Sequence, residues 1–118
     1  MSIKEFYQTV GGSYNEALSR LMNDQFILRF LKKFADKNNF ADLVSAFAQK
    51  DVKGIFESSH GLKGVTGNLA LTNLFNLSSQ ICEKSRHAAS FEECGFTNEM
   101  DKIQEEFQKT IALISQLQ

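Results

Sequence analysis

Apolar residues recur at three- and four-residue steps along almost the whole chain. Such spacing puts them on one face of a helix, and no segment shows the sustained alternation of a strand. Ile3, Phe6, Tyr7 and Val10 open the series, and Gly11 and Gly12 close it. Ser13 followed by Glu16 offers a capping box to a helix carrying Tyr14, Ala17, Leu18, Leu21 and Met22. Asn23 and Asp24 then cap a longer helix with Phe26, Ile27, Phe30, Leu31 and Phe34 as its stripe, broken by Lys37, Asn38 and Asn39. Phe40, Leu43, Val44 and Phe47 form the next stripe, which ends near Lys50. Asp51 caps a helix over 51–69. The pattern resumes with Leu71, Leu74, Phe75, Ser78, Ile81 and Cys82, fades after Arg86, and gives way to the loop HAASFEECGF. Met100, Ile103, Phe107, Ile111, Ile114 and Leu117 mark the last helix.

Every long segment is apolar on one side only, so the helices must bury their stripes against one another. The expected fold is all-α: an up-down four-helix bundle with one or two additional short N-terminal helices. No linker or repeat divides the 118 residues, so 1–118 reads as one domain, with 1–22 as an N-terminal helical extension and 23–118 as the bundle. The absence of proline agrees with helices throughout.

Composition narrows the function classes. With 42% hydrophobic and 23% charged residues the chain is neither disordered nor membrane-spanning in character. A net charge of −1 gives no basic field for nucleic acid or acidic lipid. The two cysteines make no disulfide framework, and a reduced, cytoplasmic, monomeric protein is expected. Cys82, His87 and Cys94 match no zinc spacing, so no metal or other cofactor is expected. The segment GVTGN lacks the Gly-Lys-Ser/Thr ending of a nucleotide-phosphate loop.

The helix over 51–69 carries the candidate chemistry. At about 100° per residue, Ile55, Leu62, Val65 and Leu69 cluster on a core face with Ser58 and Thr66 between them. His60 falls opposite, facing water. Within roughly 60° of it lie Lys53, Phe56, Glu57, Lys63, Gly64 and Gly67. Gly64 and Gly67 remove side-chain bulk beside the imidazole. Phe56 is an apolar group on a face that should be polar, available to a partner or covered by an N-terminal helix. Gly61 lies on the flank, where helix packing explains it. The same residues also allow a plain surface histidine, with glycines that only let a neighbouring helix approach.

The stretch HGLKGVTGNLALTNL resembles the histidine-containing phosphotransfer (HPt) family, whose core is His-x-Leu-Lys-Gly, then a small residue three further on and a Leu-rich turn. His60, Leu62, Lys63, Gly64, Gly67, Leu69 and Leu71 carry it, and Leu74 and Glu83 suit the helix that follows. The likeness covers about 23–115, and the Asp24-to-Phe34 helix is similar to the one that packs on the active helix. Ala70 departs from it, standing in the turn where many members have glycine. The resemblance implies a relay between response-regulator receiver domains, fed by a hybrid sensor histidine kinase elsewhere. His60 would be the phosphoryl acceptor, Lys63 an electrostatic aid, and Phe56, Gly64 and Gly67 the partner-docking surface. Any Mg²⁺ would be held by the receiver. The competing expectation is a helical interaction module that uses the same face and never carries phosphate.

Overall fold

The computed structural model describes residues 1–117. Among them lie seven α-helices and no strand: α1 (Ile3–Val10), α2 (Tyr14–Leu21), α3 (Asp24–Asp36), α4 (Phe40–Ala48), α5 (Val52–Asn68), α6 (Thr72–Ser85) and α7 (Glu99–Ile114). One turn of 3₁₀ helix, Glu92–Cys94, interrupts the loop before α7. No helix among the described residues is long and apolar enough to cross a membrane.

The helix starts follow from short polar side chains that accept the first free N–H groups. Ser13, Asn23 and Asp51 accept from Glu16, Phe26 and Gly54. Ser2 and Glu5 form a full capping box ahead of α1, a signal the sequence reading passed over.

Helix α5 packs between α6 and α4, and α7 closes against α6. Ile27, Leu31, Leu43, Ile55, Leu62, Leu74, Ile81, Ile103 and Ile114 make the core, with Phe40 stacked on Phe107 at 4.0 Å. The α6–α7 loop is anchored by Phe91 and Phe96, which pack on Phe47 of α4. The N-terminal helices are built into this core. Phe6, Tyr7 and Val10 are buried, and α1 lies against α2, α3 and α7.

Three N-terminal groups clasp the α5–α6 turn. The Tyr7 hydroxyl donates to the Leu69 carbonyl at 2.7 Å, and burial pushes its phenol up. Ser13 N–H donates to the Ala70 carbonyl at 3.1 Å, and Asn73 Nδ2 to the Val10 carbonyl at 3.1 Å. The turn itself pairs Leu71 N–H with Thr66 O and Ala70 N–H with Gly67 O. This is the Schellman ending of a helix, and its left-handed position falls on Ala70, at φ +55°. That is the physical reason for a glycine preference at the position. Alanine is held there at a cost of about 1 kcal/mol.

Several stripes are narrower than the spacing suggested. Met22 ends α2 at φ +78° and is 78% exposed, so it belongs to no buried face. On α3 the buried line is Ile27, Leu31 and Phe34. Phe26 and Phe30, one residue earlier on successive turns, fall about 100° off that line and stand 36% and 41% exposed. Helix α3 packs on α1, α2 and α7, and its Phe30 and Phe34 face Val65 and Leu69 of α5 across a groove.

The buried carboxylate of Glu99 closes the α6–α7 side. Burial raises it, but contact with the Lys84 ammonium and hydrogen bonds from Thr97 outweigh that and hold it at about 2. A carboxylate held below its ordinary 4.5 stabilises the fold fully above that pH, and the contribution fades as pH falls toward about 2. We expect Glu99→Gln to lower stability by about 1.5–3 kcal/mol at neutral pH, the range for a hydrogen bond to a charged group. The gap to the unmutated chain should shrink toward pH 2, as read by urea unfolding. A Tyr7→Phe chain should lose about 1 kcal/mol by the same measurement, because the Leu69 carbonyl loses its buried donor.

Candidate functional site

Helix α5 must bury one face and leave the other bare. Its buried residues are Ile55, Ser58, Ser59, Leu62 and Thr66. Ser59 and Thr66 are accommodated because their hydroxyls donate to carbonyls of their own helix, Ile55 O at 2.7 Å and Leu62 O at 2.6 Å. The core face is therefore turned toward Ser59. Val65, expected inside, is only half-buried.

His60 stands exposed on the opposite side. Arg20, His60, Lys63, Gly64, Gly67, Asn68 and Phe75 line one open groove there. The sequence reading assigned Lys63, Gly64 and Gly67 to this face, and the structure brings all three beside His60. The two glycines differ physically. A Cβ on Gly64 would meet nothing within 4 Å, so this side of the imidazole is open. A Cβ on Gly67 would stand 3.2 Å from the Phe75 ring, so the missing side chain there admits a residue of α6. Gly61 lets the Asn39 side chain approach from the start of α4, as its flank position suggested.

Phe56 is half-buried, and Arg86 at the end of α6 reaches over it. The Arg86 guanidinium lies 5.2 Å from the Phe56 ring centre. The same ring stacks against His60 at 5.7 Å with 23° between planes. Arg86 is itself fixed by Glu83 at 2.8 Å. That hydrogen bond and charge hold the Glu83 carboxyl below its ordinary value, and Lys63 adds to the effect. Glu57, on the same face of α5, turns to Lys53 at 3.9 Å.

Arg20 and Arg86 were missed by the sequence reading. Each comes from another helix, and no periodicity within α5 could have located them. Arg20 reaches from α2 to donate to the Gly67 carbonyl at the end of α5. A further surface adjoins this site. Leu21, Phe30, Phe34, Val65 and Leu69 line a groove whose charged residues, Arg20, Lys33 and Lys37, are all basic. Among the described residues no three His, Cys, Asp or Glu side chains gather closely enough to hold a metal ion.

Because Gly64 is helical and has open space at its Cβ, Gly64→Ala should raise stability by about 0.5–1 kcal/mol through helix propensity. Thermal or urea unfolding reads this directly, and a loss of stability would mean the position is packed.

Comparison with curated proteins and with solved structures returned no match. Residues 30–116 match the family model described as Hpt domain, well over half of the chain and including all of α4, α5, α6 and α7. The chain therefore belongs to the Hpt domain family.

Proposed function

We propose that this chain is a phosphorelay carrier in which His60 takes a phosphoryl group from the phospho-aspartate of one receiver domain and passes it to the aspartate of another. Hpt domains are phosphoryl carriers rather than kinases, and they work with receiver domains of two-component systems. The observation that carries the reading is an exposed imidazole with open space at Gly64 and Lys63 one turn on, inside the matched segment.

The chemistry needs little from this chain. A free imidazole nitrogen attacks phosphorus, the P–N bond forms, and the P–O bond to the partner's carboxylate breaks with its electron pair leaving on that carboxylate. The reverse step on a second receiver restores the imidazole. Attack in line with the leaving oxygen requires an unobstructed nitrogen on a fixed backbone. Helix α5 supplies the backbone and Gly64 the clearance. Lys63 and Arg20, which line the groove, offset the charge of the transferring group. In this reading Gly64 and the rim of Phe56 meet the receiver, while Gly67, expected on the same docking surface, seats the Phe75 ring of α6. The receiver holds the Mg²⁺, and a hybrid sensor histidine kinase stands upstream. The chain works as one cytoplasmic, monomeric unit over 1–118, with α4 to α7 as the core of an up-down four-helix bundle.

The cation-rimmed apolar groove beside α3 favours a second reading, an interaction module that never carries phosphate. One experiment separates the two. Incubation with a radiolabelled phospho-receiver should move acid-labile, alkali-stable label onto the unmutated chain and none onto His60→Gln. Binding of the receiver with no label on either chain selects the module. Gly64→Leu should fold normally and slow transfer from the receiver by at least about tenfold, since the added side chain fills the approach to the nitrogen. Transfer at the unmutated rate would remove Gly64 from the mechanism.

A further inference from the structure

We propose that Phe56 is a positioning residue, which with Arg86 behind it orients the His60 imidazole for attack. The proposal rests on reading His60 as the phosphoryl acceptor. Its observations are three linked contacts that cross from α6 to α5. Glu83 fixes Arg86 by hydrogen bonds at 2.8 Å and 3.2 Å. The Arg86 guanidinium then lies over the Phe56 ring at 5.2 Å. Phe56, one turn before His60, stacks on the imidazole at 5.7 Å and 23°.

An exposed histidine on a helix ordinarily samples several rotamers, and each non-productive one lowers the fraction of nitrogens aimed at phosphorus. A flat neighbour at i−4 removes part of that freedom, because residues four apart on a helix stand side by side. A surface phenylalanine would be mobile too. Here it is half-buried and carries a guanidinium from another helix, so the stack inherits the rigidity of the α5–α6 pair. Phe56 shields one flank of the imidazole, while the Gly64 position stays open. One ring thus limits rotation and leaves the approach clear.

The test compares the unmutated chain with Phe56→Leu, which keeps apolar bulk without a ring, and Phe56→Tyr, which keeps the ring. Two readouts apply. One is the NMR signals of the His60 ring protons, which a stacked aromatic shifts. The other is the rate at which phosphoramidate labels His60, since so small a donor needs no docking surface. Phe56→Leu should move the His60 ring signals toward those of a free histidine and slow labelling by about threefold to tenfold, the cost of a less oriented nucleophile. Phe56→Tyr should stay near the unmutated chain in both. Unmoved ring signals in Phe56→Leu, or labelling at the unmutated rate, would overturn the proposal. So would a defect seen with a phospho-receiver and absent with phosphoramidate, which makes Phe56 a docking residue. If the unmutated chain takes no label from phosphoramidate or any receiver, the reading of His60 as acceptor fails, and the positioning role for attack falls with it. Ring signals that still move in Phe56→Leu would then leave only the stack.

Discussion

The α5–α6 turn places three consecutive residues, Leu69, Ala70 and Leu71, inside the core. A buried turn leaves backbone groups without water, and each must find a partner inside the protein. The turn's N–H groups pair within its own Schellman hydrogen bonds, while its carbonyls at Leu69 and Ala70 are met by Tyr7 and Ser13 from the N-terminus. The geometry of the His60 face follows from this closure. It fixes the angle at which α6 leaves α5, which decides where Phe75 meets Gly67 and where Arg86 meets Phe56. Residues 1–22, read from sequence as an extension, therefore help hold the site, although the family match begins only at residue 30.

Helix α5 meets two opposed demands with small side chains. A wholly apolar inner face would bury more surface, yet Ser59 and Thr66 are fully buried there. Their hydroxyls are satisfied by carbonyls one turn back, so burial leaves no unpaired donor. Their small volume lets α6 and α4 approach closely, as Gly61 and Gly67 do on the flanks. Close packing on both sides stiffens α5 without help from its outer face, where Gly64 keeps open space. A bulkier inner face would push the neighbours outward and separate Arg86 from Phe56.

Much of this was legible in the sequence because it depends on local rules. Helix ends were marked by Ser13, Asn23 and Asp51, and the exposed side of α5 followed from the period of the helix alone. What was hidden depends on neighbours distant in sequence. Gly64 and Gly67 look alike in the chain, and only the ring of Phe75 separates a packing glycine from an open one. Phe26, Phe30 and Met22 share the spacing of buried residues, yet each lies off the line that α3 or α2 turns inward. Ser59 was missed because Val65 and Leu69 drew the expected core face of α5 away from it, whereas Val65 is only half-buried and the true face turns toward Ser59. The glycine preference at position 70, from which Ala70 departs, has a reason that only the φ of +55° discloses.

Charge around the groove completes the argument. Lys63 comes from α5, Arg86 from the end of α6, and Arg20 from α2, so three separate elements supply the cations. The nearby acids are largely occupied: Glu83 is bound to Arg86, and Glu57 turns to Lys53. Arg20 is tied only to a neutral carbonyl, and Lys63 has no carboxylate within ion-pair distance among the described residues. Two positive charges on the groove are thus left without an ion-pair partner among the described residues, in a chain whose net charge is −1. Cations free of ion pairs beside a half-buried aromatic raise the local potential more than the net charge suggests, and an incoming anion meets them before the bulk field of the protein matters. The same pairing explains how Arg86 can serve a different end. With its charge matched by Glu83, its contribution at the site is the flat guanidinium it lays on Phe56.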